Sequence, residues 1–182
     1  MLFKKFKAWR DHVGLYINSK YQFNVIPELS FINDAFECIF VEIIFQKHKN
    51  LIIGCIYRAP NTDLDLYNIE MFNLLNKSQL RNNKNIFVMG DFNINLLNYK
   101  SNISTFTFLN TMISSGFLPT VNQPTRTTNT SASLIDNIFT NYNAAHCKVA
   151  LIYSDVSDHF PIYLQCQPIS KNKKFNIDEL SV

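Results

Sequence analysis

Apolar residues along this chain come in short bursts, and the two spacings they follow divide it into strands and helices. Val13–Ile17 reads as a short strand, and Tyr21–Ile26, closed by Pro27, as a second. Phe36–Phe45 (FECIFVEIIF) is β-branched and aromatic, with Glu37 and Glu42 at its polar positions. Leu51–Tyr57 (LIIGCIY) is apolar again, and Lys47–Asn50 between the two is a polar turn, so the pair predicts an antiparallel hairpin deep in a sheet. After Pro60 the spacing changes. Leu66, Ile69, Phe72 and Leu75 or Asn76 recur every three or four residues, the stripe of an amphipathic helix, with Thr62 and Asp65 as its capping box. Ile86–Met89 is a short buried strand. Ile103–Ser115 predicts a second helix, with Ile103, Phe106, Leu109 and Ile113 along one face and Gly116 where a helix end wants a left-handed residue. Asn122–Ser133 is a polar loop, strands follow over Leu134–Thr140, Lys148–Ile152 and Pro161–Cys166, and the tail from Lys171 is polar. Strands and helices alternate, with hairpins among them, which predicts a mixed sheet with helices packed outside, in the α/β or α+β class.

Composition narrows this picture without redirecting it. At 182 residues, 47% hydrophobic and 17% charged, the chain suits one globular domain with a real core. A net charge of +3 is compatible with a nucleic-acid substrate but does not argue for one. Cys38, Cys55, Cys147 and Cys166 include no CxxC pair and no histidine at zinc spacing, so reduced core thiols and an intracellular compartment are expected. The longest apolar runs, Cys38–Phe45 and Leu51–Tyr57, fall well short of the ~20 residues a membrane-spanning helix needs, so no membrane partner is expected. At the start, Lys4, Lys5, Lys7 and Arg10 interrupt the apolar residues, giving an exposed basic lead-in without a signal-peptide core. The 23 asparagines discount any motif that rests on asparagine alone.

Four strand ends carry chemistry, and strand ends are where a rigid sheet aims side chains from several loops at one point. In Ile86-Phe-Val-Met-Gly-Asp-Phe-Asn93 a strand ends at Gly90, and Asp91 and Asn93 lie two apart, on one face if the chain stays extended. In Ser154-Asp-Val-Ser-Asp-His159, Asp158 and His159 precede a strand, and histidine suits proton transfer or phosphate stabilisation near neutral pH. In Ser131-Ala-Ser-Leu-Ile-Asp136 a carboxylate lies in an apolar segment, where it needs a partner such as a histidine. Tyr57-Arg-Ala-Pro-Asn61 offers a phenol, a guanidinium and an amide, all suited to phosphate. Each has a plainer reading. Gly-Asp-x-Asn is ordinary turn chemistry, a lone histidine is often a capped surface residue, Asp136 fits a strand edge facing water, and Pro60 alone makes a turn.

The order YRAPN, GDFN, QPTR, SLID, SDH, each at a strand end, resembles the endonuclease/exonuclease/phosphatase superfamily. Within it the wording is similar to endonuclease domains of LINE-type (non-LTR) retrotransposons and, more distantly, to apurinic endonucleases. The likeness runs from about Gly14 to Gln165, and GDFN with SDH about 65 residues later is its most specific combination. It implies a four-layered α/β sandwich that hydrolyses phosphodiesters with Mg²⁺ or Mn²⁺, DNA being the family substrate. By the same resemblance, Asp91 orients or deprotonates water, Asn93 binds phosphate, His159 contacts the scissile phosphate, and Asp136 holds that histidine. Asp158 falls at the metal or its shell, and Tyr57 touches the phosphate. The Tyr57 motif has one residue more before Pro-Asn than apurinic enzymes show, so Tyr57 and Arg58 compete for the phosphate role, with Asn61 beside them.

The resemblance also sets an expectation about what is missing. Family members place a strand ending in a metal-binding Glu before the point where the likeness begins, and Glu28, Glu37, Glu42 and Glu70 do not fit that role. The expected organisation is a non-matching lead-in over 1–12, a partial domain over 13–168 that is incomplete at its N-terminus, and a polar tail over 169–182. Weakened metal binding, weak or absent DNA nicking, self-association through exposed sheet edges, and fusion to a reverse transcriptase in a full-length element follow as expectations. Two rivals stay open: a phosphatase or phosphodiesterase of the same superfamily acting on RNA, lipid or inositol phosphates, and a non-catalytic interaction module.

Overall fold

A computed structural model describes residues 3–7, 12–77, 80 and 84–167, with only the backbone described for 3–7. The exposed basic lead-in and the polar tail over 169–182 therefore lie outside the described side chains. The hairpin read from the alternating apolar runs is the centre of the molecule: β5 (Glu37–Ile44) pairs antiparallel with β6 (Leu51–Tyr57). On one side β5 takes β3 (Gln22–Val25) and the two-residue β4 (Phe31–Ile32). On the other, β6 runs parallel to β7 (Asn85–Asp91), the one parallel pairing among the described residues, made by a crossover through α1 (Leu64–Leu75). β11 (Asp136–Thr140) pairs antiparallel with β7, and β8 (Leu118–Pro119) closes that edge.

Alternation along these strands sorts side chains to two faces. Cys38, Phe40, Ile52, Ile56, Ile86, Val88 and Phe139 pack in one cluster with Tyr67, Met71 and Leu74 of α1 and Phe108 and Met112 of α2 (Ile103–Ser114). The opposite face meets two antiparallel strand pairs. Val41 and Ile43 pack with Ile17 of β2 (Gly14–Asn18), which pairs with β1 (Phe3–Lys7). Phe87 and Ile138 pack with Ile162 and Leu164 of β13 (Ile162–Cys166), the partner of β12 (Cys147–Leu151). The result is an α/β sandwich with helices outside one sheet and short strands facing its other side. Within the segment expected to be a loop, β9 (Arg126–Thr127) and β10 (Ala132–Ser133) make a small ribbon. All four cysteines are free thiols, and burial pushes Cys38 up to about 12 and Cys55 up to about 11, as expected of core residues.

Both helices turn a different face inward from the one the spacing suggested. In α1, Tyr67, Asn68, Met71, Leu74 and Leu75 are buried, whereas Ile69 is 58% exposed and Phe72 53%. In α2, Thr105, Phe108 and Met112 are buried, Leu109 is half-buried, and Ile103 is 76% exposed. Each helix carries two apolar stripes, and periodicity alone cannot rank them. The stripe that wins builds an aromatic chain, with Tyr67 edge-on to Phe36 at 5.4 Å and 5.7 Å from Phe108, which in turn meets Phe92 and Phe139. The capping also shifts by one residue. Asp63, not Thr62, accepts hydrogen bonds from the Asp65 and Leu66 amides.

Gly54 and Gly90 each leave room that a side chain would fill, for a ring in one case and for backbone in the other. Gly54 lies under the Phe40 ring, where a Cβ would fall 2.2 Å from a ring carbon. Gly90 sits at φ +150 against the Ile56 carbonyl, where a Cβ would fall 1.8 Å from the oxygen. Gly116, at φ +86, ends α2 with open space around it. Gly90→Ala should therefore cost more than about 4 kcal/mol, and Gly116→Ala only about 1–2 kcal/mol of backbone strain. Urea denaturation of the two variants checks this, and equal losses would contradict the close approach of β6 and β7.

Candidate active site

Pairing across the central sheet lines up four side chains at one end. Glu37 pairs with Tyr57, Tyr57 with Asp91, and Asp91 with Asp136. Paired residues share a face, so two strand ends (β6, β7) and two strand starts (β5, β11) present a phenol and three carboxylates in a row. β7 continues through Gly90 to Asp91, one residue past the end expected from the sequence.

Asp91, Asp136 and His159 come together: one ligand atom from each lies within 4.8 Å of the others. His159 Nδ1 is 3.0 Å from Asp136 Oδ2 and 3.2 Å from Oδ1, so the carboxylate fixes the ring's rotation. Thr125 of the QPTR segment secures that carboxylate. Its hydroxyl donates to Asp136 Oδ2 at 2.8 Å and accepts from the Ile135 and Asp136 amides. The backbone of the same segment holds the histidine loop, with the Phe160 amide donating to the Thr125 carbonyl and Arg126 bridging to His159. Thr125 is fully buried, and sequence reasoning assigns it no role; its motif is visible, but nothing in it marks which hydroxyl turns inward.

Asp91 and Asn93 are close for a reason other than extended geometry. Asn93 adopts φ 49, a left-handed turn, and its amide N–H donates to Asp91 Oδ1 at 2.9 Å. Its side-chain amide donates to the Arg58 carbonyl at 2.7 Å. Burial pushes the Asp91 carboxyl above its ordinary range, and the nearby Asp136 charge adds to this, while the Asn93 N–H pulls it back.

Two expected site residues are engaged elsewhere. Arg58 is buried, donating from Nε to the Phe92 carbonyl (2.7 Å) and from its two terminal nitrogens to the Thr62 and Asn93 carbonyls (2.8 and 2.7 Å). With each of its three nitrogens donating to a backbone carbonyl, the buried guanidinium staples the GDFN turn to the sheet and is not presented to a phosphate. Burial accordingly lowers its pKa. Tyr57, whose side chain shares the face of Asp91, is the one of the two on the site's side. Asp158 is exposed, with its carboxylate accepting from Arg126 Nε at 2.7 Å, which holds it below the usual carboxylate range. It is not among the three residues whose ligand atoms cluster. Asn61 lies exposed in the turn after Pro60.

A divalent cation fits the donor set. Asp91 Oδ1 takes the Asn93 N–H, and Asp136 is occupied by Thr125 and His159, which leaves the second Asp91 oxygen as a hard donor. Mg²⁺ or Mn²⁺ needs few protein oxygens when a substrate phosphate and water complete the shell.

The raised Asp91 carboxyl has a stability consequence with a definite sign. A group whose pKa rises on folding supports the fold while protonated and stops doing so as pH climbs through the folded value. Asp91→Asn should therefore raise the metal-free melting temperature at neutral pH, with the gain vanishing in acid. Thermal scans across pH in EDTA check this, and a lower midpoint for the variant at neutral pH would contradict it.

Comparisons with known proteins agree with this fold. The family described as endonuclease-reverse transcriptase matches residues 51–163, which carry Tyr57, Asp91, Asp136 and His159. The endonuclease domain of TRAS1, a telomere-specific non-LTR retrotransposon, superposes with a TM-score of 0.73 at 13% identity, over 94% of this chain and 80% of that one. An endonuclease/exonuclease/phosphatase family protein from Leptotrichia buccalis gives 0.55 at 17% identity, over 91% and 71%. A mannosyl-6-phosphatase from Bacteroides thetaiotaomicron gives 0.51 at 14% identity, over 90% and 76%. No curated protein sequence matches significantly. No helix among the described residues is long and apolar enough to cross a membrane. With most of its length matched, the chain belongs to the endonuclease-reverse transcriptase family, within the endonuclease/exonuclease/phosphatase superfamily, and it shares its fold with the TRAS1 retrotransposon endonuclease domain.

Proposed function

We propose that this chain is a metal-dependent phosphodiesterase that nicks duplex DNA, as an endonuclease of a retroelement. The observation that carries the reading is the contact of His159 Nδ1 with Asp136 beside the Asp91 carboxylate. With Nδ1 held by Asp136, the ring presents Nε2 to a phosphate oxygen, where it can stabilise the charge that develops. Asp91, with Oδ1 fixed by the Asn93 N–H, suits orienting the attacking water; burial raises the proton affinity of the metal-free carboxyl, and a cation on its free oxygen would lower it again. Tyr57, paired with Asp91, is assigned to donate its hydroxyl to a second phosphate oxygen, a role supported by its place on the same face of the sheet. A Mg²⁺ or Mn²⁺ ion held at Asp91 would offset phosphate charge as a Lewis acid. The choice of DNA rests on the family match and on the TRAS1 endonuclease likeness.

The test is single-turnover nicking of supercoiled plasmid with enzyme in excess and Mg²⁺ or EDTA present. Cleavage should require the metal, and Asp91→Asn and His159→Ala should each slow it by about 10²-fold or more. Equal cleavage by wild type and Asp91→Asn would contradict the assignment. Metal-dependent release of phosphate from monoesters, with plasmid left intact, would favour the phosphatase reading.

A further inference from the structure

Glu37 heads the row of paired residues, yet it lies outside the stretch matched by the family. Its side chain is only 9% exposed, with Oε1 2.9 Å from His12 Nδ1 and Oε2 buried without a hydrogen-bond partner. A carboxylate half-satisfied in the interior is costly for structure alone. What it holds is an exposed ring. The His12 side chain is 56% exposed and stacks on Tyr57, with ring centroids 4.9 Å apart and planes 16° from parallel.

His12 and Glu37 thus repeat, on the far side of Tyr57, the arrangement His159 makes with Asp136: Nδ1 on a carboxylate, and the other ring nitrogen left over. Three strand intervals separate Glu37 from Asp136, roughly 14 Å at the ~4.8 Å spacing of paired strands. The His12 ring lies on the Glu37–Tyr57 side of the row and the His159 ring on the Asp91–Asp136 side, so an extended polyanion lying along the row can meet both.

We propose that His12, pinned by Glu37 and stacked on Tyr57, is a second phosphate-binding group that grips a backbone phosphate beside the scissile one. The ring donates Nδ1–H to Glu37 and Nε2–H to the phosphate, with a negative partner on each side. This rests on the phosphodiesterase reading and deepens it, because it makes a polynucleotide the substrate.

The test measures duplex DNA affinity by fluorescence anisotropy at several salt concentrations, in an Asp91→Asn background that does not cleave. His12→Ala should weaken binding about tenfold whatever the DNA sequence. It should also reduce the slope of log affinity against log salt by about 0.9, the value for one phosphate no longer neutralised by the protein. His12→Lys should restore the slope, and His12→Gln should not. Glu37→Gln, which frees the ring, should weaken binding by a smaller factor. An unchanged salt slope in His12→Ala, or the same slope in His12→Gln as in the parent, would overturn the proposal. If the parent chain cleaves DNA and His12→Ala keeps its slope, this inference fails alone. If the parent neither binds nor cleaves DNA, the reading beneath it fails too.

Discussion

Parallel pairing of β6 with β7, in which Gly90 at φ +150 would aim any Cβ at the Ile56 carbonyl, is the constraint on which the site depends. β6 and β7 can lie side by side because Gly90 has no Cβ to meet the Ile56 carbonyl, and the same pairing sets Tyr57 opposite Asp91. Since the side-chain period of a strand is two, a slip of one residue would turn Asp91 towards the helices and leave Phe92 on the site's face. The antiparallel neighbours extend the alignment outward, Glu37 on one flank and Asp136 on the other. Arg58 then locks the turn that follows β7, directing its donors to backbone carbonyls and not to a ligand.

Around that frame, the polar groups are arranged in supporting pairs. Thr125 holds Asp136, and Asp136 holds His159. Arg126 holds Asp158, whose carbonyl in turn receives the Thr127 amide. These contacts join the QPTR and SDH segments into one edge, so the histidine sits on paired backbone although it comes from a loop. At Asp91, burial and a neighbouring carboxylate raise the proton affinity, while the Asn93 N–H and the nearby His159 and Arg126 oppose them. A group left with its proton affinity raised suits a site whose counter-charge would arrive with a cation.

The strand content was legible because β5, β6 and β7 carry apolar runs bounded by turn residues, and pairing makes those runs visible one at a time. The motif order made the clustering of Asp91, Asp136 and His159 an expectation before any geometry was known. Helix orientation was not legible. α1 and α2 each offer two apolar stripes, and the choice lies in the aromatic contacts among Tyr67, Phe108 and Phe139, which are distant in sequence. Arg58 reads as a phosphate ligand because a guanidinium after a strand usually faces solvent, and only the fold brings three carbonyls around it. Glu37 reads only as a polar position flanking the middle of the Phe36–Phe45 strand, because nothing in that run shows which residues of other strands it pairs with. In the structure it begins its strand, level with the site.

Whether Asp136 and His159 act on one phosphate as a unit is the question beneath all of this, and a double-mutant cycle answers it most directly. Single-turnover plasmid cleavage would be measured for Asp136→Ala, His159→Ala and the double variant. If the carboxylate works only through the ring it holds, the double variant should be no slower than His159→Ala. Losses that multiply, each variant slowing the reaction independently of the other, would contradict a single shared site.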